Sequence, residues 1–147
     1  MALIDDLGAG PIAIDTAVVI YFIEEDARYL PVIAPLFEAA DRGRCELVAS
    51  ALSLLEVLVV PYRAGNTALA DRYEALLTRS RGVRMVELSR DVLRLAAQLR
   101  AATGTATPDA LQLAAALRAG CTAFVTNDRR LPTLPGLRIA QLGAYRA

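Results

Sequence analysis

Apolar and polar positions along this chain follow two alternating periods. Five short runs, IAID at 12–15, ELVAS at 46–50, VRMVEL at 83–88, TAFVT at 122–126 and LRIAQ at 137–141, have the length and composition of strands. The stretches between them carry helical spacing. The run TAVVIYFIEEDARYL is ambiguous in period, and its length favours a helix with Thr16 as its cap. A second helix is predicted over about 31–42, with Pro31 early and Gly43 past its end. From Ser50 or Ser53 a helix carries LLEVLVV toward Pro61. Asn66 opens ALADRYEALLTR, in which Leu69, Tyr73, Leu76 and Leu77 share one face. Ser89 caps DVLRLAAQLRAA, which stops before Gly104. Thr107-Pro108 starts the helix ALQLAAALRA, which ends at Gly120.

Strands that alternate with helices predict an α/β fold with a mainly parallel sheet of about five strands and helices on both faces. At 147 residues the chain is read as one domain, 1–147, with residues 1–10 as an N-terminal extension. Asp5 and Asp6 in that extension read as a solvated end. No apolar stretch reaches the ~18 residues that span a bilayer, and MALIDDLGAG has no basic leader region. A soluble, cytoplasmic protein is the expectation.

Composition then removes whole classes of chemistry. The chain has no histidine and no lysine, so its sixteen basic residues are all arginine. Serine or cysteine triads, histidine zinc sites, the P-loop lysine and Schiff bases are excluded. Cys45 and Cys121 are widely spaced and read as buried, reduced thiols. The formal charge is zero, so a phosphate-bearing partner must be held by local arginines or by a metal.

What remains is carboxylate chemistry. Asp15, Glu56, Asp109 and Asp128 each stand where an apolar run meets a turn or a helix. Taken singly they have ordinary readings. Asp15 and Asp128 could be turn or cap residues, Asp109 a dipole-favoured carboxylate in a first helical turn capped by Thr107, and Glu56 a core-edge partner of an arginine. The LLEVLVV helix reads as apolar nearly all round and therefore buried, which makes a lone Glu56 there costly unless it is partnered. In a parallel sheet, Asp15 and Asp128 follow strands that end on the same rim. Four carboxylates meeting there would repel one another and form a hard-oxygen site for Mg²⁺ or Mn²⁺.

At these residues the chain resembles the PIN-domain ribonucleases, and in particular VapC-type toxins. IDTAVVI around Asp15, ASALSLLEVLV around Glu56, PDALQLAAALRAG around Asp109 and FVTNDRRL around Asp128 occur in the family's order, over about residues 12–142. The resemblance implies a three-layer α/β/α sandwich and a Mg²⁺- or Mn²⁺-dependent endoribonuclease. Asp15, Glu56, Asp109 and Asp128 would be its catalytic and metal-binding acids, Thr16 and Thr126 would support them, and Asn127 would help orient Asp128. It also implies an RNA substrate, a homodimer and a cognate antitoxin. Ala17 departs from the pattern, because a polar Ser or Asn is common at that place.

Arg129 and Arg130 directly follow Asp128 and are candidate phosphate contacts, with solvated loop charges as the plainer reading. Arg79, Arg81 and Arg84 read as a solvent-exposed basic stretch. Tyr21, Phe22 and Tyr29 could stack on bases, although helix packing or a dimer surface explains them as well. A haloacid-dehalogenase phosphatase also sets an aspartate after its first strand, but needs a second one two residues later, where Ala17 stands, and a lysine. The remaining alternatives are a catalytically idle PIN-like module that binds RNA or a partner, and an RNA-processing nuclease that is no toxin.

Overall fold

The computed structural model describes residues 2–145. Its centre is a sheet of five parallel strands: β1 (Ile12–Ile14), β2 (Leu47–Ser50), β3 (Val83–Val86), β4 (Ala123–Thr126) and β5 (Arg138–Gln141). Their spatial order is β3-β2-β1-β4-β5. The chain therefore builds outward from β1 in one direction, then returns to its other side with β4. The crevice at the carboxyl ends of β1 and β4 is the switch point where α/β sheets form their sites.

The strands are short, β1, β2 and β4 fully buried and the edge strands β3 and β5 only partly, and their side chains divide by the period of two. Ile12, Ile14, Leu47, Ala49, Ala123, Val125 and Ala140 join the core on one face. Ala13, Val48, Phe124 and Ile139 join the core on the other. The first face is covered by α1 (Leu3–Leu7), α2 (Thr16–Ile23), α3 (Leu30–Asp41), α4 (Ala51–Arg63) and α5 (Thr67–Arg79). The second is covered by α6 (Arg90–Thr103) and α7 (Thr107–Arg118). This is the three-layer α/β/α sandwich that the sequence predicts.

Gly82 leads into β3 with φ of 78°, and a Cβ there would run into the Ala40 carbonyl of α3. Its own carbonyl accepts from the Leu47 N–H at 2.8 Å, so the close approach sets the β2–β3 register. Ser89 caps α6 through the Val92 N–H, and Gly104 ends it in the left-handed region, as the sequence indicates.

Four sequence expectations need correction. The predicted single helix over TAVVIYFIEEDARYL stops at Ile23, because Glu25 turns left-handed and the Asp26 carboxylate takes the N–H groups of Arg28 and Tyr29. The helix expected to end at Pro61 continues to Arg63; proline there forgoes only its own backbone bond. The same helix is not buried all round, since Leu55 is 62% exposed and Val60 65%, with Val59 and Tyr62 also outside. Periodicity detects an apolar face but not what lies against it. Finally, of the two aspartates in the N-terminal extension read as a solvated end, only Asp5 is exposed. Leu3 and Leu7 of α1 enter the core, while Asp6 pairs with Arg138 and with the Tyr145 hydroxyl. Arg138 also donates to the Asp6 carbonyl at 3.1 Å, tying the chain's start to β5.

Candidate active site

Asp15 caps α2 at the end of β1, accepting the Thr16 N–H at 2.8 Å. Its own N–H donates to the Val125 carbonyl at 3.0 Å, which joins it to the adjacent strand β4. There Thr126, fully buried, donates its hydroxyl to Asp15 Oδ2 at 2.7 Å. The same hydroxyl oxygen accepts the Asp128 N–H at 3.0 Å. One threonine thus ties two acids that are far apart in the sequence. Gln141 at the end of β5 adds a third tether, donating to the Asp128 carbonyl at 2.9 Å.

Glu56 reaches the same rim from α4. Its Oε1 accepts from the Thr16 hydroxyl at 2.7 Å and from the Gln112 amide at 3.4 Å. Asp109 comes from the first turn of α7, whose cap is Ala106 rather than the expected Thr107. Thr107 is already helical, so its hydroxyl does not close the helix end. Among the described residues, the Asp109 carboxylate has no hydrogen-bond partner.

Electrostatics show that the four acids share one neighbourhood. Burial first, and then the charges of Asp128 and Asp15, push the Asp109 carboxyl above the usual range; Arg130 opposes them, and Glu56 adds the smallest upward contribution. Burial also pushes Asp15 up, helped by Glu56 and Asp128 and opposed by its bonds from Thr126 and Thr16. Asp128 is different: Arg130 holds its carboxyl below the usual range. The guanidinium grips Asp128 at two points, each 3.0 Å, and the Arg130 N–H adds a third bond at 2.9 Å.

A cleft of about 520 Å³ opens over this rim, lined by Asp15, Ala17, Tyr21, Asn127, Asp128, Arg129 and Arg130. As it stands, no group of three or more His, Cys, Asp or Glu side chains among the described residues is set to hold a metal ion. The contacts explain this. Asp128 is turned into the Arg130 fork, and one oxygen of Glu56 and both of Asp15 are held by protein donors. The donor set nevertheless fits a hard divalent cation. It is all carboxylate oxygen, it contains one acid without a hydrogen-bond partner among the described residues, and the charges of its neighbours help to raise the carboxyls of Asp15 and Asp109.

Asn127 does not orient Asp128 through its side chain. Its amide donates to the hydroxyls of Tyr21 at 3.3 Å and Tyr29 at 3.2 Å, and the two tyrosine rings stack with centroids 4.7 Å apart. Phe22 stacks on Phe37 instead. Sequence reading passed over Ser53, Gln112 and Gln141. A signal existed for two of them: Ser53 stands three residues before Glu56, and Gln112 three after Asp109, so each shares a helix face with an acid.

The sequence model of the PIN domain matches residues 12–137. The chain belongs to the PIN-domain family. Solved structures with this PIN fold are similar over most of their length. VapBC2 from Rickettsia felis, bound to a promoter DNA fragment, superposes with a TM-score of 0.68 at 14% identity, covering 89% of this chain and 98% of that one. DNA-bound VapBC from Salmonella typhimurium gives 0.64 at 19% identity, covering 90% and 98%. VapC20 from Mycobacterium tuberculosis, described as a sarcin-ricin loop cleaving toxin, gives 0.61 at 15% identity, covering 77% and 86%. Comparison with curated protein sequences gives no match.

Proposed function

We propose that this PIN-domain protein is a metal-dependent endoribonuclease that hydrolyses RNA phosphodiester bonds, and that it is the toxin of a type II toxin–antitoxin pair. The observation that carries the reading is electrostatic: among the described residues Asp109 has no partner, and its carboxyl is pushed up by burial first and then by the charges of Asp128, Asp15 and Glu56. Asp15, Glu56, Asp109 and Asp128 would hold Mg²⁺ or Mn²⁺. The chemistry that such an ion supplies is acidification of water and relief of charge on the attacked phosphate. Asp109, free of donors among the described residues, is the acid best suited to take a proton from the attacking water. Arg129 and Arg130 offer guanidinium forks for phosphate oxygens at the mouth of the cleft.

The exposed strip Leu55, Val59, Val60 and Tyr62 on α4 supports a partner protein, either an antitoxin or a second copy. Glu56 lies on the same helix, so a partner seated on that strip would abut the site. The VapBC structures from Rickettsia felis and Salmonella typhimurium bear names that describe two-component complexes on DNA. Among the described residues no helix is long and apolar enough to cross a membrane, and we place the activity in the cytoplasm.

The test is cleavage of RNA by the purified protein with Mn²⁺, beside the same reaction in EDTA. Cleavage is expected only with the metal; equal cleavage in both would sink the reading. One observation favours a second reading, an RNA-binding module without hydrolysis: the Arg130 fork already neutralises Asp128. RNA bound but never cut under any divalent ion would decide for it.

Arg130 itself makes a two-sided prediction. Arg130→Leu frees Asp128 and is expected to tighten Mn²⁺ binding several-fold by calorimetry. The same change is expected to weaken RNA binding and to flatten its log–log salt slope by about 0.7, the worth of one phosphate contact on a single strand. Unchanged Mn²⁺ affinity would mean that the ion pair does not compete with metal.

A further inference from the structure

Gln112 is the polar residue in the apolar run ALQLAAAL, and it is 4% exposed between α7, α4 and α2. Its Nε2 lies 3.0 Å from Thr16 Oγ1, 3.1 Å from Ser53 Oγ and 3.4 Å from Glu56 Oε1. The two hydroxyls are 2.8 Å apart, and Thr16 is 2.7 Å from Glu56 Oε1. Ser53 is fully buried.

The chemistry of these groups fixes where their hydrogens point. An ionised carboxylate only accepts, and an amide nitrogen only donates. The amide oxygen could not take the nitrogen's place, since it would then face a carboxylate oxygen. Thr16 spends its one hydrogen on Glu56. Ser53 must then spend its hydrogen on Thr16. Gln112 closes the other side, its two amide hydrogens shared among the three oxygens. The chain of bonds runs one way, from Gln112 and Ser53 through Thr16 to Glu56 Oε1, while Oε2 has no partner among the described residues.

We propose that Gln112 is a positioning residue: its buried amide turns the Ser53 hydroxyl toward Thr16 and the Thr16 hydroxyl toward Glu56, and locks that carboxylate with one oxygen held and the other free for the site. The inference rests on the nuclease reading above. Groups that orient a metal-binding carboxylate typically change affinity or turnover by about 10- to 100-fold when removed. Gln112 does this from a helix that also carries Asp109, so one turn of α7 supplies one acid and aims another.

The experiment compares the full-length protein with Gln112→Met, which conserves volume but cannot donate. Turnover is measured on an RNA oligonucleotide with Mn²⁺, and Mn²⁺ binding by the electron paramagnetic resonance of the free ion. We expect kcat to fall about 10-fold or more, the KM for RNA to stay within about twofold, and Mn²⁺ binding to weaken. In a Glu56→Gln background, Gln112→Met is expected to cost no further Mn²⁺ affinity, because the group it aims is gone. An equal cost in both backgrounds, or unchanged kcat, overturns the inference. If Gln112→Met fails to fold, Gln112→Leu removes the donors with another apolar side chain of similar size, and full kcat in that variant overturns it as well. Failure of the reading beneath is separately visible: the unsubstituted protein would then neither bind Mn²⁺ nor cut RNA.

Discussion

Asp15→Asn is expected to reduce Mn²⁺-dependent RNA cleavage by at least about 100-fold, to the level seen in EDTA, while the protein melts no earlier than the unsubstituted chain. Both halves follow from the same contacts. Asp15 is held on one side by the Thr16 N–H and on the other by the Thr126 hydroxyl. An asparagine oxygen still accepts from Thr16, and its amide can donate to Thr126, so the cap survives. What disappears is the charge. Burial, with Glu56 and Asp128 nearby, lifts the Asp15 carboxyl above its usual range, so the ionised form is disfavoured in the fold. An acid whose folded pKa is raised weakens the fold as pH climbs from its unfolded value through the folded one. Removing that charge therefore stabilises the metal-free protein at neutral pH and leaves it as stable as before below the unfolded pKa. A thermal shift and a cleavage assay on one preparation check the pair. In cells, induced expression of the unsubstituted chain is expected to arrest growth, and the asparagine variant is not. Cleavage near the unsubstituted rate would remove Asp15 from the site; early melting would show that it serves the fold.

This opposition between charge and burial is also why the acids of the candidate site stand out in the sequence. Asp15, Asp109 and Asp128 interrupt apolar or turn-forming segments where a folding requirement alone would not choose three carboxylates. Strand ends on a common rim then bring them within mutual influence. The strands were readable for a similar reason. Runs such as AFVT have no polar position to spare, so β4 could only be a buried central strand. What escaped was orientation and occupancy. Gln112 looked like an interruption of an apolar helix, because its three acceptors come from two other segments. Asn127 was assigned to its neighbour in sequence, but its amide is taken by tyrosines about a hundred positions earlier. Leu55 and Val60 read as core from the same apolar pattern, yet both lie exposed on α4. For Gln112 and Asn127 the partners lay beyond the reach of local sequence.

The tie between Asp15 and Asp128 yields the second large effect. Thr126→Val keeps the shape of a fully buried side chain and removes only its hydroxyl. Two bonds are lost together: the 2.7 Å donation to Asp15 and the 3.0 Å acceptance from the Asp128 N–H. Asp15 then lacks one of the two donors that favour its ionised form, so its carboxyl is expected to rise further. Asp128 loses its link to β4 and is held mainly by Gln141 and by the exposed fork of Arg130. Because one hydroxyl aims two acids, turnover is expected to fall about 10- to 100-fold, and stability by about 1–3 kcal/mol for a buried bond to a charged group. Thr126→Ser discriminates cause from packing. It restores both bonds but lacks the methyl that holds the rotamer, so it is expected to recover most of the turnover and to give back less of the stability. If valine and serine are equally impaired, packing around β4 is what Thr126 supplies. If valine retains full turnover, the two acids do not depend on this hydroxyl for their placement.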